Sequence, residues 1–300
     1  MQSAIGIDIG GTKISAGIVQ LDGGVIAPRT VPTPYHDADE VISATIALCK
    51  DTLDVANSKK LTIHGIGIGT AGQVDTQHGT ITYGNANIPG WTGKPIAELV
   101  SSALKLPVLI DNDVNVLAVS EGRYGSGRDF QHILYLTVGT GIGGAIVLNG
   151  QIWRGAHFSA GEIGYLVANW DEDGQPVSIE KLAAGKGIER QYHLQGGENL
   201  DLRAIAGCAK SGDGLAQQVI EDGARLLGEV LCPVICLIDP EIVIVGGGVP
   251  EIGDLWWSPF ETAIRNYPLP ATQKVVLSRA KLRVHAGVIG AGLLALEGLA

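Results

Sequence analysis

Asp8-Ile9-Gly10-Gly11-Thr12-Lys13 is the stretch that decides the fold, because it recurs in altered form as Thr137-Val138-Gly139-Thr140-Gly141-Ile142-Gly143-Gly144. In both copies an apolar run enters a corner rich in glycine and threonine, and a second apolar run leaves it. The second run reaches hairpin-turn residues, at Asp22–Gly24 in the first copy and at Asn149-Gly150 in the second. We interpret this pattern as an internal repeat of strand, glycine corner and strand, which predicts two related half-folds.

The glycine corners suggest a function. Residues without a large side chain let several backbone N–H groups point at one anion, and two facing corners can hold a polyphosphate. A single corner of this kind is more often a tight hairpin without a ligand. Two corners at a repeat, with a third at Gly246-Gly247-Gly248 after another apolar run, favour phosphate binding. The third corner could let the base and ribose of a nucleotide lie against the backbone.

Side chains of the first corner extend this chemistry. Asp8 could hold a hydrated divalent cation, Thr12 could offer its hydroxyl and Lys13 could reach a terminal phosphate. The chain has no G-x-x-x-x-G-K-[ST] string, which argues against a P-loop NTPase. A dinucleotide-binding turn fits poorly too, since Gly139–Gly144 is followed by a second apolar run rather than by a helix.

The length of 300 residues exceeds what one hydrophobic core usually organises, so two lobes are expected. We predict a smaller N-terminal lobe over residues 1–115, completed by a C-terminal helix over 288–300, and a larger lobe over 116–287. Strands alternate with helices in both, which indicates an α/β fold. Near the C-terminus we predict a strand over Lys281–His285, directly before the closing helix.

Composition narrows the class of protein. Hydrophobic residues make up 45% of the chain and charged residues 17%, as in an ordinary soluble globular protein. The net charge of -10 opposes binding to nucleic acid or to an anionic membrane. The first strand begins by Ala4, which leaves no room for a signal peptide, and no apolar run is long enough for a membrane span. We therefore expect a cytoplasmic protein that binds neither nucleic acid nor a membrane.

Six short motifs together resemble one family. In order and spacing they are similar to the ROK family of bacterial sugar kinases and repressors, and the match covers nearly the whole chain: Asp8–Lys13, Asn87–Trp91, Asn112-Asp113, Gly139–Gly144, Gly161–Gly164 and Gly246–Gly248. The resemblance implies an actin-like, ribonuclease-H-like α/β fold with a mixed sheet flanked by helices in each lobe. It also implies a sugar and Mg-ATP bound in the cleft between the lobes, and a homodimer. The nucleotide and Mg²⁺ would be held by Asp8, Gly10, Gly11, Thr12, Lys13, Gly139, Thr140, Gly141, Gly143, Gly247 and Gly248.

The catalytic base is expected at Asp113. Phosphoryl transfer to a sugar hydroxyl needs a group that accepts the hydroxyl proton and aligns the oxygen, and a carboxylate at a strand end can do both. Asp113 follows the strand Val108–Ile110 at the start of a helix, whose dipole should keep it ionised. By themselves, Asp111, Asn112 and Asp113 could simply cap that helix. The resemblance favours Asp113 as the base and Asn112 as a ligand of a neighbouring hydroxyl.

Carboxylates and amides suit a sugar, because each sugar hydroxyl both donates and accepts hydrogen bonds. The resemblance assigns Glu162 and Glu180 to hydroxyls near the anomeric end, although Glu180 alone would be an ordinary charge at a helix N-terminus. Asn87 is expected in the same pocket, and Gly72 could let the sugar approach the backbone. Trp91 could stack on the sugar or anchor its own loop.

The chain departs from the family at one point. Many ROK proteins carry a zinc knuckle, C-x-C-G-x-x-G-C-x-E, and an E-x-G-H motif whose histidine also binds the metal. Here Tyr165 stands at the histidine position, and residues 169–180 contain no cysteine. We predict no structural zinc, with Tyr165 hydrogen-bonding a sugar hydroxyl instead. The acidic cluster Asp171–Asp173 could hold a cation or form a solvated loop, and His157 could replace the missing histidine.

The sequence therefore predicts an ATP- and Mg²⁺-dependent kinase that phosphorylates the 6-hydroxyl of a hexose, with glucose as the first expectation. N-acetylmannosamine, fructose or mannose as acceptor, or polyphosphate as donor, are alternatives. A repressor would need an N-terminal helix-turn-helix, for which the early first strand leaves no room. A sugar sensor without catalysis is disfavoured by the presence of Asp113 and both phosphate corners.

Overall fold

Two units, each built on a five-stranded mixed sheet, make up the chain in the computed structural model, which describes residues 2–34, 36–84 and 88–299. Unit 1 comprises Met1–Asp129, Ile152–Ala160 and Lys281–Ala300, and unit 2 comprises Phe130–Gln151 and Gly161–Ala280. The boundary expected near residue 115 falls within a helix of unit 1. The C-terminal helix belongs to unit 1 as well.

Unit 1 has the sheet order β3-β2-β1-β4-β7. The first three strands form an antiparallel meander, and β4 and β7 run parallel to β1. A short hairpin, β5–β6, lies in the long loop after β4. The elements are β1 (Ser3–Ile9), β2 (Lys13–Gln20), β3 (Val25–Pro32), α1 (Ala38–Ser58), β4 (Ile63–Thr70), β5 (Gln73–Asp75), β6 (Thr80–Tyr83), α2 (Ile96–Leu104), β7 (Val108–Asn112) and α3 (Asp113–Tyr124).

Unit 2 repeats this topology with the sheet order β10-β9-β8-β13-β14. Strands β8 and β9 are antiparallel, and β13 and β14 continue the sheet in parallel with β8. The elements of this part of the chain are β8 (Ile133–Val138), β9 (Ile142–Leu148), β10 (Gln151–Ile152), β11 (Val167–Trp170), β12 (Pro176–Ser178), α4 (Glu180–Ala183), α5 (Gly185–Leu194), α6 (Leu202–Lys210), α7 (Gly214–Ile238), β13 (Ile242–Gly246), α8 (Asp254–Asn266), α9 (Pro270–Lys274) and β14 (Val276–Arg279). The shared order of the two sheets confirms the internal repeat.

The strand predicted over Lys281–His285 is wrong. The last strand of unit 2 is β14, which ends at Arg279 and pairs with β13. The chain then leaves that sheet, and the N–H of Leu282 donates to the carboxylate of Glu121 in unit 1 at 2.6 Å. The alternating pattern of residues 281–285 therefore belongs to a connecting segment.

Alternation along β1 explains how unit 1 packs. Ile5, Ile7 and Ile9 are buried in an apolar core with side chains of α1 and α2. The intervening Gly6 packs against the closing helix α10 (Ala286–Gly298), where an added β-carbon would collide with the carbonyl of Val288. Because Gly6 has no side chain on this face of β1, the backbone of α10 lies directly against the strand, and Ala4 packs beside it on Ala295 and Leu296. Asp8 is the next residue on that face.

No helix in the described part of the chain is long and apolar enough to cross a bilayer.

Candidate functional site

The first glycine corner is a tight turn held from the side. The N–H of Gly10 donates to the carbonyl of Lys13 at 3.0 Å. Thr33, which is buried, donates its hydroxyl to the carbonyl of Gly10 at 2.7 Å and its N–H to the carbonyl of Thr12 at 3.1 Å. With these carbonyls occupied, the corner presents Gly11 and the exposed Thr12 and Lys13 outward. Nothing in the sequence singles out Thr33, because its role depends on the pairing of β3 with β2.

Asp8 lies near the end of β1, against the first turn of α10. An added β-carbon on Gly287 would lie 2.5 Å from Asp8 Oδ2, so this close approach requires glycine. The helix begins without a side-chain cap, and its first N–H groups therefore remain available to an anion or to water. Burial raises the pKa of Asp8, and the charge of Lys13 opposes the rise.

Asp113 is the first residue of α3, as predicted, but the expected effect of the helix dipole does not dominate. Burial raises the pKa of Asp113 from its ordinary 3.8 to about 6, and the nearby charge of Asp8 adds to the rise. Hydrogen bonding from the N–H of Val114, at 3.0 Å, lowers the pKa by less. The side chain is thus close to half-ionised near pH 6, which suits a general base at neutral pH.

Asn112 has a structural role at the same junction. Its side-chain oxygen caps α3 by accepting from the N–H groups of Val114 at 2.8 Å and Asn115 at 3.3 Å. Its side-chain nitrogen donates to the carbonyl of Gly72 at 2.9 Å. Gly72 has a φ of 101°, and an added β-carbon would lie 2.5 Å from the carbonyl of Tyr83. The helix-capping alternative therefore holds for Asn112, whose side chain also hydrogen-bonds the carboxylate of Asp113 and lowers the pKa of that carboxyl.

Asp111 is not available as a base. Its carboxylate is buried and accepts hydrogen bonds from Arg154 and from the side chain of Asn115. The structure thus separates two neighbouring aspartates by function: Asp111 is an internal anchor, and Asp113 is the carboxylate with a raised pKa.

The second glycine corner, in unit 2, connects β8 to β9. The N–H of Gly139 donates to the carbonyl of Gly141 at 2.9 Å, and the carbonyl of Gly139 accepts from Gly185, the first residue of α5, at 2.8 Å. Thr140 at the tip is exposed, and Gly143 lies in β9 opposite Thr137. The corner therefore adjoins the N-terminus of a helix, an arrangement that favours anions.

Glu180 also reaches this corner. Its Oε2 accepts from the N–H of Ile142 at 2.8 Å, and an added β-carbon on Gly141 would collide with the same oxygen. The resemblance assigned Glu180 to a sugar hydroxyl, whereas here one of its oxygens orders the backbone of the second glycine corner. The negative charge of Glu180 would repel an anion close to Ile142. The N–H groups suited to an anion are therefore those at the tip of the corner, near Thr140.

The third corner lies beside the second. Strands β8 and β13 are parallel neighbours, so their carboxyl ends meet at one edge of the unit 2 sheet. Gly247 has a φ of 93°, and an added β-carbon would collide with the backbone of Val138, which directly precedes the second corner. The N–H of Val249 donates to the carbonyl of Val138 at 3.0 Å. Gly248 is exposed next to this contact, with open space where a side chain would be.

The Gly161–Gly164 motif packs closely along β9. An added β-carbon on Gly161 would lie 2.7 Å from the carbonyl of Gly144, and one on Gly144 would lie 2.6 Å from the carbonyl of Gly161. This glycine contact places Glu162 beside the strand that follows the second corner, at the start of a short 3-10 turn. Tyr165 ends that turn and is 64% exposed, so its phenol is accessible to a ligand.

The two remaining predicted residues differ in outcome. Asn87 lies outside the described residues. Trp91 is buried with 2% exposure, which confirms the alternative that it anchors its loop rather than stacking on a sugar.

The region of the family's zinc knuckle does not offer a zinc site. Residues Val167–Trp170 and Pro176–Ser178 form the β11–β12 hairpin, and Asp171 closes its turn. The Oδ1 of Asp171 accepts from the N–H groups of Asp173 at 3.1 Å and Gln175 at 2.7 Å. Zinc prefers thiolate and imidazole ligands, and no cluster of three or more metal-binding side chains occurs among the described residues. The acidic cluster therefore folds as an exposed turn.

Magnesium is a different case, because it usually takes one or two carboxylates together with waters and phosphate oxygens. Asp8 and Asp113 are close enough for the charge of one to raise the pKa of the other. A divalent cation would relieve this repulsion, so the donor set fits magnesium without a dedicated protein cage. Asp8, beside the first glycine corner, is the residue suited to hold it through water.

Comparison with known proteins gives consistent results. A model described as ROK family matches residues 4–298. A glucokinase of Halalkalibacterium halodurans is 32% identical over 97% of this chain and 94% of its own length. An N-acetyl-D-glucosamine kinase of Salmonella paratyphi B is 29% identical over 96% of this chain and 98% of its own. A crystal structure of a ROK family glucokinase from Streptomyces griseus in complex with glucose and AMPPNP has a TM-score of 0.81, with 30% identity over 99% of this chain and 100% of that one. These likenesses confirm the actin-like α/β fold.

Proposed function

The chain belongs to the ROK family, and from this premise we propose that it transfers the terminal phosphoryl group of ATP to the 6-hydroxyl of a hexose, most directly glucose. The observation that carries the proposal is the state of Asp113. A carboxylate with a pKa of about 6 at the start of a helix, next to a second carboxylate at a glycine corner, is poorly suited to a purely structural role. The similarity to sugar kinases supports the same reaction class.

Asp113 takes the proton in the proposed reaction. It accepts the hydrogen of the sugar hydroxyl, and the hydroxyl oxygen forms a bond to the γ-phosphorus of ATP. The bond from that phosphorus to the bridging oxygen of the β-phosphate breaks, and ADP leaves with the bonding electron pair. A pKa near 6 leaves Asp113 about 90% ionised at pH 7 and still basic enough to hold the proton briefly.

The other residues of unit 1 bind and orient. Lys13 and the N–H groups of Gly11 and Thr12 meet phosphate oxygens at the first corner, which Thr33 keeps in shape. Asp8 would hold Mg²⁺ through water, and the cation, when bound, supplies charge neutralisation to the β- and γ-phosphates. Asn112 is the proposed ligand of a neighbouring sugar hydroxyl, because its side chain caps α3 and hydrogen-bonds Asp113 at the same junction.

Unit 2 supplies the nucleotide-binding backbone in this proposal. The corner at Thr140 and the N-terminus of α5 receive phosphate, and the exposed backbone at Gly247 and Gly248 receives the base and ribose. Glu162 and Tyr165 bind sugar hydroxyls, with Glu180 ordering the corner beside them. Tyr165 stands where many relatives in the family carry histidine, so the identity of the sugar is the open part of the proposal.

The test is a panel of glucose, mannose, fructose, N-acetylglucosamine and N-acetylmannosamine, each with Mg-ATP, in which ADP release is measured. Glucose is expected to give the highest kcat/KM. A higher value for an N-acetylated sugar would change the acceptor and leave the reaction intact, and turnover with polyphosphate in place of ATP would change the donor. Sugar binding by calorimetry without turnover for any member would refute the kinase and indicate a sugar sensor.

A further inference from the structure

Arg154 forms an ion pair with the buried carboxylate of Asp111 in unit 1. Its Nε and Nη2 both donate to Asp111 Oδ2, at 2.8 and 2.6 Å. The aspartate side chain is only 2% exposed and that of the arginine is 29% exposed. Arg154 comes from the segment Ile152–Ala160, which belongs to unit 1 although the residues on both sides of it in the chain belong to unit 2.

The other oxygen of Asp111 holds the catalytic junction. Its Oδ1 accepts from the backbone N–H of Asn112 at 2.8 Å and from the side chain of Asn115 at 2.8 Å. Asn112 caps α3, and Asn115 lies in the first turn of that helix. Both contacts of this oxygen therefore fix the strand end and the helix start between which Asp113 stands.

The charge of Arg154 is needed at this place. Asp8, Asp111 and Asp113 bring three carboxylates to the carboxyl ends of β1 and β7, strands that both pair with β4. A buried carboxylate that loses its partner is strongly destabilised, and it relaxes by rotating toward water or taking up a proton. Rotation would break the hydrogen bonds to Asn112 and Asn115, and protonation would weaken them by removing the charge of the acceptor.

We propose that Arg154 is a positioning residue for the general base: by saturating one oxygen of Asp111 it aims the other at Asn112 and Asn115, and so fixes Asp113 on a rigid junction. This inference rests on the proposed function for its kinetic consequence. Arg154 need not touch sugar or nucleotide for this role. A base displaced by about 1 Å can lose about a hundredfold in rate, so a remote contact of this kind has a large effect on kcat.

The kinetic test compares Arg154→Met, Arg154→Lys and the control Arg29→Met. Arg29 is exposed in unit 1 and pairs with the exposed Asp51 at 3.3 Å. We expect Arg154→Met to lower kcat by about tenfold to a hundredfold, with the Kd of the sugar and the KM of ATP changed by less than about threefold. Arg154→Lys should retain part of the activity because it keeps the charge but loses the two-pronged contact. The control should match the wild type.

Two further measurements separate positioning from plain stability. In Arg154→Ala, methylguanidinium should restore a measurable part of kcat, and in Arg154→Met/Asp111→Asn the loss should be smaller than the product of the single losses, since both act through one contact. Hydrogen exchange at the amides of Val114 and Asn115 should speed up in Arg154→Met and not in Arg29→Met.

The outcomes are distinguishable. An Arg154→Met enzyme with a lower melting temperature but an unchanged kcat would overturn the inference, as would multiplicative losses in the double variant or unchanged exchange at Val114. A wild-type protein without any kinase activity would overturn the proposed function, while the exchange measurement would still decide whether Arg154 orders the junction. If Arg154→Met does not fold, the same comparison is made with Arg154→Lys: a lower kcat with a nearly unchanged sugar Kd would support the inference, and an unchanged kcat would overturn it.

Discussion

Asp113→Asn should produce an enzyme that is more stable than the wild type and almost inactive. The pKa of Asp113 is raised from 3.8 to about 6 by burial and by Asp8, so the folded state binds this proton more tightly than the unfolded state does. The stability that the protonated group provides is fully present below the unfolded pKa and is lost as the pH rises through 6. At pH 7 the ionised side chain therefore costs about 3 kcal/mol, which an uncharged amide avoids.

The pH dependence makes this prediction specific. The same two pKa values give a cost of about 3 kcal/mol at pH 7 and about half of that at pH 5, so the stability advantage of Asp113→Asn should shrink by about half on acidification. Urea unfolding of both proteins at pH 5, 6 and 7 measures it. Asp54→Asn, an exposed aspartate of α1, is the matched control and should show no such trend.

Activity should move in the opposite direction. Loss of the base is expected to lower kcat by a factor of about 100 to 10,000 with little change in sugar Kd. In the wild type, kcat/KM for ATP should rise with pH to a plateau, with its midpoint at about 6. An Asp113→Asn protein that is no more stable at pH 7, or whose advantage does not depend on pH, would refute the burial argument. Undiminished kcat would refute the assignment of the base.

Three more predictions concern Gly287, Gly247 and the β11–β12 hairpin. Gly287→Ala should lower the free energy of unfolding by about 1–3 kcal/mol and raise the KM of ATP, because the added methyl group would lie 2.5 Å from Asp8 Oδ2. Calorimetric titration with AMPPNP measures the effect on the nucleotide, and an affinity equal to that of the wild type would contradict it. Gly247→Ala should weaken AMPPNP binding with less effect on sugar binding, since the residue has a φ of 93° beside Val138; equal losses for both ligands would speak against a nucleotide surface. Prolonged treatment with 1,10-phenanthroline should leave the melting temperature unchanged, and elemental analysis should find less than stoichiometric zinc; a fall in melting temperature on chelation would disprove the metal-free hairpin. Asp171→Ala should lower the free energy of unfolding by about 1 kcal/mol, because it removes the acceptor for the N–H groups of Asp173 and Gln175.

The sequence predicts the fold well where local pattern and topology agree. The repeated strand, corner and strand reappears as the same strand order in both sheets, because hairpins with short glycine corners leave few other pairings. The start of α3 at Asp113 follows from capping chemistry that is local in the chain. The strand expected at Lys281–His285 fails because alternation alone cannot tell a strand from a connecting segment that is bonded to Glu121.

The site is harder to predict, because its decisive contacts join residues far apart in the chain. Arg154 and Asp111 are 43 positions apart, and no spacing rule connects them. Thr33 supports the first corner only through the register of β2 with β3. The pKa of Asp113 depends on burial, on the charge of Asp8 and on hydrogen bonds at the start of α3, and only the start of that helix can be predicted from the sequence.

The composition of unit 1 from three separate stretches has a consequence for how the protein is made. Helix α10, which lies against Gly6 of the first strand, follows all of unit 2 in the chain. During synthesis the sheet of unit 1 must therefore wait, with one apolar face uncovered, until the whole of unit 2 has left the ribosome. A nascent chain interrupted before residue 286 lacks the helix turn that meets Asp8. Such a fragment would leave that face of the sheet exposed and prone to aggregation, so unit 1 is completed only when the last helix of the chain has been made.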